Sequence, residues 1–373
     1  MYSQSAKQRV TQLLSIAGIS VNGNAPWDIK VHNDNFYEKV LTGGSLALGE
    51  SYMAGWWDCD RRDEFFSHVL STNLENTVKK NAKLQAQIML TKIFNYQTPS
   101  LAFDNVHKHY DIDNDLFTKM LDKRMVYSGA YWKNAATIDE AQENKLDLAC
   151  RKMKLEPGMH VLDIGCGWGS WAKFAAEKYG VRVTGITLSE QQVQLGKVLC
   201  AGLPVELKLM DYRDVDQKFD RVVSIGMFEH VGHKNNRTFF QAANRCMKDD
   251  GIFLLQTIGN PFTRTYHDRW MNKYILPNCT MPSLTQIAQT IEGIFLVEDL
   301  HNFGPDYDKT LMAWHHNFTS NWHLLKDRYN ETFYRMWTHY LLQCAGGFRA
   351  KRNSLWQIVL TKRSRPGGYF AER

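Results

Sequence analysis

No stretch of the 373 residues approaches the roughly 18 uninterrupted apolar residues that a membrane span requires. Met1 to Val10 also lacks the charged-then-apolar order of a secretory signal, which places the expected location in the cytoplasm. Cysteine is sparse and odd in number: Cys59, Cys150, Cys166, Cys200, Cys246, Cys279 and Cys344, with no Cys-x-x-Cys pair and no histidine at zinc-like spacing. A disulfide framework and a metal site are therefore not expected, and the thiols read as reduced. Internal repeats, low-complexity tracts and aromatic-basic modules of known nucleic-acid folds are missing too, so no nucleic-acid partner is expected.

What is present is a soluble globular composition, 44% hydrophobic and 23% charged, with 11 Trp, 16 Tyr and 19 Phe. Such a chain buries a large core, and its length suits one large domain with a smaller one appended. The net charge of +6 is concentrated near the C-terminus, where residues 321–373 hold ten Lys/Arg against Asp327, Glu331 and Glu372. That asymmetry suits an anionic membrane surface better than nucleic acid, with a solvated basic tail as the alternative.

The first ninety residues show helix-compatible runs, Ala6 to Ile16 and the stretch through Gly44-Ser45-Leu46-Ala47-Leu48-Gly49-Glu50-Ser51-Tyr52, and predict a small helical N-terminal domain over 1–97. The polar turn Gln97-Thr98-Pro99-Ser100, after Lys79 to Tyr96, is the expected linker into a second domain over 98–373. From His160 short apolar runs alternate with amphipathic ones, which predicts an α/β domain with a Rossmann-like, seven-stranded doubly wound sheet. The expected strands are His160–Ile164, Arg182–Thr187, Val205–Met210, Arg221–Ile225, Ile252–Thr257, Phe295–Leu300 and Leu355–Thr361. A long helix is expected from Asp308 to Ala345, and aromatic Asn260 to Asn278 reads as an insertion that shapes an acceptor site.

Asp163-Ile164-Gly165-Cys166-Gly167-Trp168-Gly169 closes the first strand and opens the helix Ser170 to Tyr179. Glycines there let the backbone turn sharply and lie against a ligand where a Cβ would collide. An acid before the turn suits a ligand with an ammonium and no pyrophosphate, so Asp163, Gly165, Cys166 and Gly167 point to S-adenosylmethionine rather than a dinucleotide. Thr187, Ser189 and Gln192 at the end of the second strand are placed to bond a ribose, and Asp211, Tyr212 and Arg213 after the third to recognise and cover an adenine. After the fourth strand, Met227-Phe228-Glu229-His230-Val231-Gly232 sets an acid beside the expected sulfonium, as electrostatic stabiliser or holder of a base.

Those residues, with His109-Tyr110-Asp111, Asn114-Asp115-Leu116-Phe117, Tyr127-Ser128, Ala130-Tyr131-Trp132 and Cys344-Ala345-Gly346, resemble the bacterial cyclopropane-fatty-acyl-phospholipid synthases, relatives of the mycolic-acid cyclopropane synthases. The resemblance runs from about Val10 to Thr361. It implies methylene transfer from S-adenosylmethionine to the cis double bond of an unsaturated acyl chain in a membrane phospholipid, through methyl transfer, a carbocation and deprotonation by bound bicarbonate. It also implies a homodimer at the inner face of the cell membrane, Tyr127 and Ser128 at the cofactor, and Glu229, Tyr307 and the Ile258 backbone holding bicarbonate.

Two positions depart from the family pattern: Gly129 replaces a cysteine and Gln256 a histidine. A backbone N–H at Gly129 and an amide at Gln256 still offer donors, but an ionisable imidazole is lost, which leaves open methylation without ring closure. Cys344 matches a cysteine regarded as catalytic in the family, although alkene methylation needs no thiol and packing is the competing reading. The rival functions are a methyltransferase for a soluble small molecule and a non-catalytic cofactor-binding protein.

Overall fold

The computed structural model describes residues 5–72 and 114–373. The proposed 97/98 division, the Lys79–Tyr96 run, the turn after it and His109-Tyr110-Asp111 lie outside the described residues.

Helix α1 (Ala6–Ile16) starts at a capping box between Ser5 and Gln8. Helix α2 (Asn35–Met53) bends at Gly44, whose φ of 58° is left-handed, and α3 (Arg62–Ser71) follows. A strand pair, β1 (Lys30–Val31) against β2 (Trp57–Asp58), joins these helices, a feature too short to leave a periodic signal. Phe36, Tyr52, Trp57 and Phe65 fill the core of this N-terminal unit.

After α4 (Asn114–Met120) and α5 (Ile138–Lys152) come β3 (His160–Ile164), α6 (Ser170–Tyr179), β4 (Arg182–Thr187), α7 (Glu190–Leu199), β5 (Val205–Leu209), β6 (Phe219–Ile225), α8 (Asn236–Cys246) and β7 (Met247–Gly259). Then follow α9 (Arg269–Tyr274), α10 (Leu284–Ile291), β8 (Leu296–Asn302), α11 (Gly304–Ser320), α12 (Glu331–Arg349) and β9 (Ser354–Thr361). The seven strands stand in the order β5-β4-β3-β6-β7-β9-β8, with β9 antiparallel to both neighbours. Alternate residues go to opposite faces. Leu162, Val222, Phe253 and Leu255 pack with Phe239 and Phe240 of α8, whereas Val161, Val223, Ile252 and Leu254 pack with α5 and α6.

The expected strands are all present, with β7 longer than anticipated. The strand expected from Ile252 starts at Met247, which pairs with Phe219 across a bulge. The single helix expected from Asp308 to Ala345 is two. Asn330 accepts a hydrogen bond from the Phe333 N–H and caps α12, breaking the helix after Ser320. The Asn260–Asn278 insertion contains α9, capped by Asp268.

Helix α12 joins the N-terminal unit to the sheet domain. Arg335 bonds Asp58 at 2.7 Å and the Tyr52 and Trp57 carbonyls, Arg349 bridges Asp63 and Asp308, and His339 lies among Tyr52, Phe66 and Trp270. The Gly49-Glu50 part of the N-terminal motif seats α9: Trp270 lies where a Gly49 side chain would be, and Glu50 accepts from Lys273 and Tyr274. Several of the basic C-terminal residues are bonded within the protein. Arg335 and Arg349 bind as above, Arg352 donates to the Leu70 and Thr72 carbonyls, Lys362 to the Met247 carbonyl, and Arg373 grips Asp299 with two bonds of 2.6 Å. No helix among the described residues is long and apolar enough to cross a membrane.

A Cβ on Gly346 would sit 2.6 Å from both the Asp63 carbonyl oxygen and the Phe66 Cβ. Gly346→Ala is therefore expected to destabilise the chain by about 1–3 kcal/mol in urea denaturation, against the helix propensity that favours alanine. An unchanged midpoint would show that α3 and α12 separate freely.

Candidate functional site

Strand order reverses between β3 and β6, and the crevice beyond their C-terminal ends is where an open α/β sheet receives a ligand. A cavity occupies that place. Gly165 turns at φ 84°, and a Cβ there would lie 2.5 Å from the Met227 side chain; at Gly167, φ 56°, nothing lies within 4 Å of the absent side chain. The turn is closed on the protein side and open on the cavity side. Asp163 stands behind it, and burial raises its carboxyl to about 7, an effect opposed by the charge of Lys145.

Thr187, Gln192, Asp211, Tyr212 and Arg213 line the cavity as expected. Thr187 Oγ1 donates to Gln192 at 2.6 Å, Asp211 is held by Arg213 at 2.9 Å, and the Tyr212 hydroxyl is buried without a hydrogen-bond partner among the described residues. The Ser189 hydroxyl accepts from the Gln192 N–H as the cap of α7, outside the residues that line the cavity. Cys166 lines the cavity, but burial holds its thiol well above the ordinary range, so it contributes shape rather than a nucleophile.

The sequence reading missed Gln142 and Lys145. They stand one turn apart on the buried face of α5. Gln142 Nε2 donates to the carbonyls of Val126 and Ser128, and Lys145 Nζ donates to Ser128 Oγ at 2.9 Å. Burial pulls the Lys145 amine down to about 7, opposed by Asp122 and Asp163. A signal existed: lysine on the apolar stripe of an amphipathic helix is rare unless it is paired. Tyr127, carried on the clamped segment, bonds the Tyr340 hydroxyl at 2.9 Å and packs against Phe117 and Trp314.

Glu229 follows β6 and is 5% exposed; one carboxylate oxygen accepts from the Ile258 N–H at 2.6 Å, and the other is buried without a hydrogen-bond partner among the described residues. Burial raises this carboxyl to about 7. The Ile258 N–H is thus committed to Glu229. Gln256 is committed as well: its amide donates to the Gly129 carbonyl at 3.3 Å and accepts from Gln357 at 2.9 Å, its cross-strand neighbour. The space a side chain at position 129 would take is filled by Leu355 and Tyr307, at 2.5 and 2.9 Å from a Cβ built there. Tyr307 packs against Trp314 and Phe348 in one aromatic cluster with Phe117 and Trp337. His230, which lines the cavity, lies 3.2 Å from the Cys279 sulfur, and burial lowers its imidazole to about 4. Cys344 packs beside this cluster within α12, with its thiol pushed up to about 12 by burial.

The family model for mycolic acid cyclopropane synthetase matches residues 97–358. The chain is 51% identical over 351 residues, 94% of its length and 92% of the relative's, to a cyclopropane-fatty-acyl-phospholipid synthase of Escherichia coli. It is 38% identical over 268 residues, 68% of each chain, to a probable fatty acid methyltransferase of Pseudomonas putida. Among solved structures, a cyclopropane synthase from Mycobacterium tuberculosis superposes with a TM-score of 0.67 at 31% identity, covering 72% of this chain and all of that one. A mycolic acid cyclopropane synthase complexed with SAH and CTAB gives 0.66 at 34% identity, covering 70% and 98%.

Because the folded chain keeps the Glu229 proton up to about pH 7 while an unfolded one loses it near 4.5, this group's contribution to stability is full in acid and is lost as pH rises through 7. Glu229→Gln, which keeps the acceptor for Ile258, is expected to exceed the parent in stability by roughly 1–3 kcal/mol at about pH 8 and to match it at about pH 4, measured by urea denaturation. Cys344→Ser is expected to hold activity within about threefold, since a thiol this hard to ionise is a poor nucleophile; a loss of all turnover would give the sulfur a chemical role.

Proposed function

The chain belongs to the mycolic acid cyclopropane synthetase family, and from that premise we propose how its residues divide the work of its activity, S-adenosylmethionine-dependent cyclopropane-fatty-acyl-phospholipid synthesis. The observation that carries the proposal is the meeting of two unlike surfaces, a polar cofactor cleft and a dry aromatic cluster, at the segment bearing Tyr127 and Ser128.

The cofactor fits that cleft: the glycine turn leaves open the space a Cβ would fill, buried Asp163 can meet an ammonium, and Asp211 with the unpartnered Tyr212 hydroxyl can meet an adenosine. When bound, it supplies an electrophilic methyl group. An alkene is a weak nucleophile, so its π electrons must be held in line in a pocket that excludes water. Tyr127, Trp314, Tyr307 and Phe348 supply such walls, and their ring faces attract positive charge developing on the acyl chain.

Bicarbonate fits at Glu229. A carboxylic acid that keeps its proton to about pH 7 can donate to an anion from its second oxygen, and the family resemblance adds Tyr307 as the other holder. Held there, the ion would supply the base that takes a proton from the transferred methyl. Gln256 and the Ile258 N–H serve instead to fix Gly129 and Glu229. The commitment of Gln256 favours a second outcome in which methylation proceeds and the ring closes poorly.

We propose further that the acyl chain is taken from a phospholipid bilayer met from the cytoplasmic side, and that the enzyme works as a homodimer. The E. coli relative's name includes the phospholipid. Exposed Leu324 beside Lys326, on the turn between α11 and α12, offers an apolar tip with a cation for the membrane, and the exposed Leu296, Val297 and Leu300 of edge strand β8 offer a surface for self-association.

Incubation with S-adenosylmethionine and vesicles of unsaturated phospholipid, followed by mass spectrometry of the acyl chains, is expected to show a gain of one methylene with loss of the double bond. Retained unsaturation would mean methylation alone, and unaltered chains would reject lipid alkylation. Gln256→His, which introduces an imidazole in place of the amide held by Gly129, is expected to raise the rate or the bicarbonate dependence; no change in either would remove position 256 from the anion's site.

A further inference from the structure

The cofactor cleft contains a buried amine that methyl transfer does not use. Lys145 is fully buried, lines the cavity and makes one hydrogen bond among the described residues, to Ser128 Oγ. In its protonated form the amine has donors only, so Ser128 accepts in that bond, and its own hydroxyl proton is turned elsewhere. No acceptor among the described residues takes that proton, although Ser128 is 8% exposed and lines the same cavity. The Ser128 carbonyl is held independently by Gln142, so the residue cannot swing away from Lys145 without breaking a second buried bond.

A donor backed by a cation selects a ligand group that only accepts. The ribose and adenine of S-adenosylmethionine offer mixed donors and acceptors, and its ammonium offers only donors; the methionine carboxylate is its sole anionic acceptor. Position agrees with this. Ser128 lies against Gly226, next to Met227, which packs on the glycine turn, whereas the groups suited to adenosine, Asp211 and Tyr212, follow β5 on the other side of that turn. A buried ammonium with unfilled donors is costly, and an incoming carboxylate relieves that cost. We propose that Lys145 is a positioning residue that fixes Ser128 as a donor to the carboxylate of the cofactor's amino-acid end, so that the pair reads the presence of that carboxylate. The charges of Asp122 and Asp163 oppose the loss of the Lys145 proton.

The proposal rests on the cofactor assignment and is independent of the lipid. Its test is equilibrium binding to the full-length protein, read by titration calorimetry without lipid, of S-adenosylhomocysteine and of its decarboxylated analogue. The parent is expected to prefer the carboxylated ligand. Lys145→Met should weaken S-adenosylhomocysteine by about 10- to 100-fold, the range for a lost charge-assisted bond, while changing the decarboxylated analogue by less than about twofold. A structural role would weaken both ligands alike, and that result, or no loss for either, overturns the proposal. If Lys145→Met does not fold, Ser128→Ala reads the same selectivity with the lysine in place, and an unchanged ratio of the two affinities there overturns it equally.

Discussion

Residues 125–130 run without regular secondary structure through the middle of the protein, and a buried backbone with no strand partner must have its polar groups met by side chains. Five side chains supply them. Asp122, just past α4, accepts from the Val126 N–H, Ser170 of α6 donates to the Met125 carbonyl, Gln142 of α5 holds the Val126 and Ser128 carbonyls, Gln256 of β7 reaches the Gly129 carbonyl, and Thr310 of α11 accepts from the Ala130 N–H. Met125 enters the segment at φ 56°, a left-handed conformation that a side chain tolerates only when its surroundings enforce it. Cofactor cleft and aromatic cluster share this one stretch of chain, so what anchors it also sets the distance between methyl donor and acceptor.

The same segment explains why the charged groups of the site sit away from their ordinary ionisation. Asp163, Lys145 and Glu229 lie where water is excluded, and burial pushes each toward its neutral form. For Asp163 and Lys145 the partner's charge works against that push. Among the described residues Glu229 has no cation as its partner and accepts from the Ile258 N–H, which leaves it an acid able to donate at neutral pH. A dry site is what methylation of an alkene demands, and these shifts are its electrostatic consequence.

The N-terminal unit acts on the site from a distance. Its Gly49-Glu50 pair seats the insertion helix α9, and α12, pinned to α3 at Gly346, brings Tyr340 to Tyr127. The C-terminal basic residues belong to the same fastening. Arg335, Arg349, Arg352 and Arg373 of that basic stretch are bound to carbonyls and carboxylates of the chain itself.

Local pattern determined the fold class, the seven strands and the donor half of the site, because strand alternation and the Asp163–Gly169 turn depend on residues adjacent in sequence. Asp163, Thr187, Gln192, Asp211 and Tyr212 could be read for that reason, and family resemblance added Tyr127, Glu229 and Tyr307. Tertiary structure alone decided the rest. Ser189 proved to be a helix cap, the long C-terminal helix broke at Asn330, and Lys145 emerged as the cation behind Ser128. Gln256 and Ile258 turned out to be bonded to Gly129 and Glu229, residues 127 and 29 positions away. Which donor meets which acceptor across such separations is settled by packing, since a side chain's chemistry states what it can bond and not what the folded chain leaves within its reach.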